Sequence, residues 1–411
     1  MKRMPKSLYL AAGAYTVSLG TGRPEFNPRK PRPGLEHYIR EAGRAALAQI
    51  ADPADIDEGV IGNFMAARFN KQGHLGALMV IAHPALEYKP MIRVEGACAS
   101  GGLALATAIK SVLSGLAENV LVMGVEVQNT VKAVYGADIL AGAGWFAGER
   151  KQGGTYFFPE KFSQRAGAYG AKYGVERTRQ AMATWYATAI ENARLNPQAQ
   201  EYHNAVQDLM AQGMTPPDGR AFCEHINLFH CSKVSDGAAA ILVCSKEGYK
   251  RLGLKREDVV KIVGYGHAAA DLTAPPPDLT ELTTSRLASA KARDMARISK
   301  DDYGLIEVHD CFSITGMLSL EALELTAPGK SAELILAGEN KRTGRYPTNT
   351  GGGLIGYGHP TGATGVRMAV DLWKQLTGKA GDGQLALSKE HGIMISMGGN
   401  DKTVVSLVVK R

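Results

Sequence analysis

RVEGACASGGLALATAIKSVLSGLAENVLVMGVE, residues Arg93–Glu126, sets a small-residue turn, a helix and a strand one after another. Apolar residues recur at helical spacing from Leu103 to Leu116, and Asn119 to Val125 reads as a buried strand. Cys98 therefore sits at the start of a helix whose first residues, Ala99, Ser100, Gly101 and Gly102, are small enough to let a substrate reach the backbone. Unpaired N–H groups and the positive dipole end of that helix should lower the thiol's pKa from its ordinary value of roughly 8.5. The same N–H groups could hold an oxyanion. A lone Cys in such a turn can equally be a packing residue.

Upstream, Leu8–Tyr15 reads as a strand, Glu36–Ile50 as an amphipathic helix, Glu58–Phe64 as a strand, Gly76–His83 as helical and Pro90–Val94 as a strand leading to Cys98. Strands alternating with helices imply a parallel or mixed sheet covered on its faces. From Gln128 to Arg220 strands are hard to find. Between Tyr135 and Tyr186 lie 11 of the chain's 28 aromatics (10 Phe, 15 Tyr, 3 Trp), so this reads as a largely helical insert able to act as a substrate lid. Downstream the expected elements are a strand within Ala238–Cys244, a strand Val260–His267, a helix Leu279–Ala296, a strand Gly304–Val308 and a helix Ser313–Leu325. After them come a Gly-rich turn Asn349–Gly365 with a helix Val366–Leu376, and strands at Gln384–Ser388, Gly392–Met397 and Thr403–Val409. Both halves thus carry a Gly-rich turn, a helix and a strand, a layout that suggests a duplicated unit whose reactive turns meet between the halves.

At 411 residues, with 45% apolar and 21% charged residues, the chain can bury a large core. The net charge of +7 is scattered, which points to a small polyanion or an acidic partner rather than to nucleic acid. Five cysteines with no CxxC pair exclude a disulfide framework and suit a reducing, cytoplasmic setting. The basic N-terminal residues precede only a short apolar run, and no stretch approaches the roughly 20 apolar residues of a membrane span. Cys223, His225, His230 and Cys231 lie close together but do not match structural-zinc spacing, so no metal site is assigned.

Four segments, VEGACASGG around Cys98, CSKVSDGAAAILV, HDCF at His309–Phe312 and GGGLIGYGHPTGATG around His359, resemble the thiolase family in content and order. The HDCF tetrapeptide is similar to the sterol-carrier-protein-type branch. The resemblance implies an α/β fold, a five-layer α-β-α-β-α sandwich of two βαβαβαββ halves. The N-terminal half would be residues 1–127 plus 221–255, the inserted loop domain 128–220 and the C-terminal half 256–411. It implies an acyl-CoA acyltransferase that cleaves a 3-oxoacyl-CoA with CoA, or runs the reverse Claisen condensation, through an acyl-Cys98 intermediate, in β-oxidation or aromatic breakdown. Acetoacetyl-CoA and aryl-substituted, benzoylsuccinyl-CoA-like substrates both occur in this branch.

On that resemblance His359 is the general base, His309 and His359 form one oxyanion hole, and the N–H groups of Cys98 and Gly398 form the other. Where many thiolases carry a second reactive Cys in a CxG motif, this chain reads Ser396-Met397-Gly398, so Cys311 would take the acid/base role. Asp310 would orient a neighbour, and Ser232 would meet the pantetheine arm. Lys132, Arg150, Lys161 and Arg165 are candidates for the CoA phosphates. CoA is substrate, with no bound cofactor; a homodimer or dimer of dimers and a small OB-fold, zinc-ribbon subunit are the implied partners. Two other readings stay open: a ketoacyl-synthase-like condensing enzyme, in which Cys311 would be dispensable, and a catalytically silent scaffold, kept alive by Ser396.

Overall fold

A computed structural model describes residues 4–150 and 154–411; the basic start Met1–Arg3 and residues 151–153 of the insert lie outside the described residues. Nine strands, β1 (Leu8–Tyr15), β2 (Glu58–Gly62), β3 (Met91–Val94), β4 (Asn119–Glu126), β5 (Gly237–Ser245), β6 (Val259–Ala269), β7 (Tyr303–Glu307), β8 (His391–Gly398) and β9 (Thr403–Lys410), pair in the order β3-β2-β4-β5-β1-β6-β9-β8-β7. The two β layers of the expected sandwich are thus linked in one hydrogen-bonded series. Its two parts join only where Leu8–Ala11 of β1 meets Val259–Ile262 of β6. Bulges just beyond, at Ala11/Ala14 and Ile262/Gly264, let the parts turn apart.

Two helices fill the space between those parts, Ser100–Ser114 behind Cys98 and Thr361–Thr377 behind His359, each touching strands of both. The helix Leu35–Leu47 covers the outer face of the first part, and Thr283–Ala296 packs on β6 and β9 of the second, which completes the five layers. Being enclosed explains the composition of the central helices: all but two of the residues of Thr361–Thr377 are buried. The apolar window Ala97–Ser114 is long enough, by length and composition, to cross a membrane, contrary to the sequence expectation, yet it is core here. Gly101 and Gly102 also serve a different purpose from the one expected. A Cβ at Gly365 would lie 2.3 Å from the Gly102 nitrogen, and one at Gly101 2.9 Å from the Gly362 carbonyl, so these glycines let helix backbones touch.

The duplication is visible in the pairing. In each part the sequence-first strand (β1, β6) lies at the junction, paired antiparallel with β5 or β9; these pair antiparallel with β4 or β8, which pair in parallel with β2 or β7. The counterpart of β3 has shrunk to one parallel bridge, Ile306 with Thr348. Chain leaving β3 reaches Cys98, and chain leaving Thr348 reaches His359. No ladder strand occurs between β4 and β5 among the described residues; that insert is built on helices such as Ala133–Leu140, Phe157–Tyr173 and Val175–Ala193.

Several boundaries differ from expectation: the helix expected from Val366 already begins at Thr361, within the Gly-rich turn, and the one expected to reach Leu325 ends at Ala322. The helix expected from Leu279 starts at Thr283, because the Asp401 carboxylate accepts from the Thr284 and Ser285 N–H groups at that point. Gln384–Ser388 is not a strand: the Gln375 side chain takes the Leu385 N–H at 2.9 Å, fastening the segment to a helix end rather than a ladder.

Candidate active site

Cys98 is reached through a strained turn. Ala97 has φ +54°, outside the usual range for a residue with a Cβ, and Ser100 holds it there by accepting from the Gly96 N–H at 3.0 Å and donating to the Ala97 carbonyl at 2.6 Å. On the other side, Gly358 at φ +110° lets the chain turn into His359-Pro360, and the His359 N–H donates to Ser235 Oγ at 2.9 Å. The Gln128 carboxamide donates to the carbonyls of Ser235 and His359, both at 2.9 Å. The Cys98 Sγ and one ring nitrogen each of His309 and His359 lie within 4.8 Å of one another. The two imidazoles meet edge to face, centroids 5.0 Å apart.

His359 Nδ1 lies 2.7 Å from Thr364 Oγ1, which also sits 3.2 Å from the Pro360 carbonyl. The threonine hydrogen goes to the carbonyl, so Nδ1–H donates to the hydroxyl and Nε2 keeps its lone pair. That Nε2 is buried and has no partner among the described residues. Burial and the Arg367 charge hold His359 neutral, its pKa lowered to about 3. His309 is likewise depressed well below its ordinary value by burial, His359 and Arg367. Both rings are therefore neutral at pH 7, and His359 Nε2 has its lone pair free to accept a proton.

The thiol does not behave as the helix-terminus argument expects. Burial, and next the Glu126 carboxylate, push Cys98 up to about 12 against smaller lowering effects from the Gly399 and Cys98 N–H groups. At rest the nucleophile is a thiol, so its proton must be removed as it attacks. Sequence reasoning does not single out Glu126. It is fully buried and accepts from the N–H groups of Phe64 (2.9 Å), Met65 (3.0 Å) and Gly362 (3.0 Å), from Asn63 Nδ2 (3.0 Å) and from the Thr361 hydroxyl (2.9 Å). One carboxylate thus joins β2 and β4 to the start of the His359 helix.

Cys311 lines the same cavity as Cys98, His309 and His359, and burial followed by the proximity of Cys98 raises it well above an ordinary thiol. Ser232 also lines it, its N–H donating to the Cys311 carbonyl at 2.8 Å. Asp310 faces away from the cavity: it accepts from Trp185 Nε1 (3.0 Å) and the Leu354 N–H (2.7 Å), fixing the short helix Gly353–Tyr357 that leads to His359. Gly398 ends β8 opposite Thr403; the residue that reaches the cavity is the next one, Gly399, in the hairpin loop where ladder pairing has stopped. Ser396 is buried against Gly102 and Gly365 and does not line the cavity. Of the basic candidates, Arg165 is fully buried, donating to Asn400 Oδ1 (2.6 Å) and to the Leu279 and Glu281 carbonyls (3.1 and 2.7 Å), which removes it from phosphate binding. Arg150 pairs with Asp138 (2.9 Å) and Lys161 with Glu149 (2.9 Å), while Lys132 precedes the helix Ala133–Leu140.

A thiol, two neutral imidazoles and a second thiol around one apolar cavity define an acyl-transfer site on a duplicated α/β scaffold. Known sequences agree with this class. The thiolase N-terminal domain matches residues 35–215 and the thiolase C-terminal domain-like family residues 265–411. The acetyl-CoA acetyltransferase of Methanocaldococcus jannaschii is 33% identical over 395 residues, 94% of this chain and 96% of that protein. The benzoylsuccinyl-CoA thiolase subunit BbsB of Thauera aromatica is 28% identical, covering 81% of this chain and 83% of that protein. Among solved structures the Ltp2-ChsH2(DUF35) aldolase superposes with a TM-score of 0.79 at 19% identity, over 100% of this chain and 99% of that one. The chain belongs to the thiolase family, and it is an acyltransferase of the thiolase type.

Proposed function

We propose that this thiolase cleaves a 3-oxoacyl-CoA with CoA through acyl-Cys98, and that the same residues run the reverse condensation. The observation that carries this reading is the convergence of the Cys98 sulfur with the nitrogens of His359 and His309 within 4.8 Å. His359 Nε2 takes the Cys98 proton as Sγ attacks the C3 carbonyl. The C3 alkoxide, which becomes the acyl-Cys98 carbonyl oxygen, is met by the N–H groups of Gly399 and Cys98, and the thioester enolate oxygen that appears as C2–C3 breaks is met by His309 and by the new His359 N–H. The C2–C3 bond then breaks, and Cys311 gives its proton to C2, releasing the C1–C2 fragment as acetyl-CoA while the shortened acyl group stays on Cys98. In the second half the Cys311 thiolate takes the proton of incoming CoA, whose sulfur attacks acyl-Cys98; His359 returns its proton to the departing Cys98 sulfur. Raised pKa values suit both thiols to this cycle: each rests protonated, and Cys311 as thiolate is basic enough to deprotonate CoA.

Ser232 at the cavity wall is assigned to the pantetheine arm. The open edge of β3, with Ile92 exposed, is assigned to pairing with a second copy across a two-fold axis. A small additional subunit is in keeping with the partner named in the Ltp2-ChsH2(DUF35) aldolase. Five free thiols, three of them on the cavity wall, favour a reducing cytoplasm. Intact mass after mixing with acetoacetyl-CoA tests the assignment. From acetoacetyl-CoA an acyl adduct is expected on wild type but not on Cys98→Ala or Cys311→Ala, because forming it breaks the C2–C3 bond; acetyl-CoA, which needs only thioester exchange, should still acylate Cys311→Ala but not Cys98→Ala. An adduct that persists in Cys98→Ala, or full turnover by Cys311→Ala, refutes it.

A further inference from the structure

The cavity over Cys98 encloses about 180 Å³ and is walled largely by carbon. Three phenyl rings run along it in a near-parallel series. Phe162 stacks on Phe312 of the HDCF turn with centroids 4.5 Å apart and planes 25° from parallel, and Phe158, one helical turn before Phe162, continues the series at 6.4 Å and 28°. Phe162 and Phe312 are buried, while Phe158 is only partly so and forms the open end. Its ring is held by Phe157, packed edge-on at 5.0 Å and 89°. The small side chains Ala133, Ala137 and Ala143 complete this part of the wall, leaving space where larger residues would fill it. Among the described lining residues one side chain carries a permanent charge, Lys233, and it is already bonded to Glu201.

We propose that the acyl subsite selects an uncharged planar ring borne on the keto carbon of the substrate, with Phe158 as the residue that reads it. The proposal rests on the acyl-Cys98 reading given above. A planar ring extends the phenyl series by offset stacking on Phe158, a face already oriented and dehydrated on one side. A methyl group, as in acetoacetyl-CoA, reaches neither that ring nor the space bounded by the alanines. A ring bearing a carboxylate fits the shape but buries a charge with no free cation to meet it.

Three substrates separate these cases: 3-oxo-3-phenylpropanoyl-CoA, the same compound with a carboxylate on the ring, and acetoacetyl-CoA. For wild type kcat/KM should be about tenfold or more higher for the phenyl than for the methyl substrate, and the carboxylated ring should fall about a hundredfold below the phenyl. Phe158→Ala should reduce the phenyl-to-methyl ratio roughly three- to tenfold, the scale of one aromatic stacking contact. Phe158→Leu, which keeps most of the volume, should reduce the ratio as well, and far-UV circular dichroism checks that both variants fold. The proposal is overturned if acetoacetyl-CoA is the better substrate, if the ring carboxylate is tolerated, or if both variants leave the ratio unchanged. Failure of the underlying acyl-Cys98 reading looks different: no mass adduct forms on Cys98 with any of the three.

Discussion

Replacing Thr364 by valine removes one oxygen from behind the proposed base and almost nothing else. Thr364 is fully buried, valine is close to isosteric, and the substitution deletes the 2.7 Å hydrogen bond to His359 Nδ1. That bond fixes the tautomer that leaves Nε2 free for the Cys98 proton. Without it a buried N–H at Nδ1 has no acceptor, a cost of about 1–3 kcal/mol, so the ring shifts toward the tautomer with the hydrogen on Nε2 or rotates out of line. At 1.4 kcal/mol per tenfold, acylation should slow by roughly 5- to 150-fold. The assay is rapid-quench formation of acyl-Cys98 under saturating 3-oxoacyl-CoA. KM should move little, because Thr364 does not line the cavity. Thr364→Ser, which restores the hydroxyl, should recover most of the rate. An acylation rate equal to wild type in Thr364→Val, or a serine variant as slow as the valine one, would refute the role given to this hydrogen bond.

Because Cys98 is pushed up to about 12, its thiolate fraction in the free enzyme should rise tenfold per pH unit through the neutral and alkaline range. Iodoacetamide alkylation followed by peptide mass should therefore climb without a plateau from pH 7 to pH 10; a plateau near pH 7 would restore the helix-terminus expectation. With His359 lowered to about 3, the ring stays neutral far below the ordinary histidine range, so single-turnover acylation should show no loss near pH 6.5 on acidification, where an unshifted base would titrate. Asn400→Ala removes the charge-assisted bond to Arg165 and should cost about 1.5–3 kcal/mol in urea unfolding while slowing acylation through the loop that carries Gly399. Gly353→Ala places a Cβ 2.5 Å from Asp310 Oδ2 at φ +60°, and should yield little folded, active protein; soluble expression and activity near wild type would show that the Asp310 anchor gives way easily.

The strand and helix order was legible because the long apolar segments have unambiguous periods: β1, β4, β5 and the helix Ser100–Ser114 fall close to where spacing puts them, whereas the helix behind His359 starts five residues earlier, at Thr361, among small residues that carry no apolar period. Chemistry stated by unusual residues was legible too, since Cys98, His309, Cys311 and His359 all reach one cavity. What escaped depends on contacts between distant segments. The late start of the helix at Thr283 is set by Asp401, over a hundred residues away, and nothing local marks it. Local rules also misjudged the Cys98 thiol: a helix terminus favours the thiolate, but the two halves close around it and burial outweighs the dipole. Gly399 differs from Gly398 only by where β8 stops pairing, which sequence spacing places to within a residue or two. Glu126 did leave a trace, as a lone charge closing the otherwise apolar run NVLVMGVE, and a buried carboxylate seeking donors is the physical reading of that pattern.

The loss of one strand from the second half shapes how copies of this chain can grow together. At the first end of the nine-strand series, β3 offers a bare edge, whereas at the other end β7 is already sealed: Ile306 donates to the Pro347 carbonyl and accepts from the Asn349 N–H. A particle with two sticky rims can add copies indefinitely into a filament. With only one, pairing is self-complementary and uses up the rim, so edge-to-edge growth stops at two. On the proposed pairing through β3, the bonds that Ile306 makes to Pro347 and Asn349 leave the opposite rim closed to a third copy.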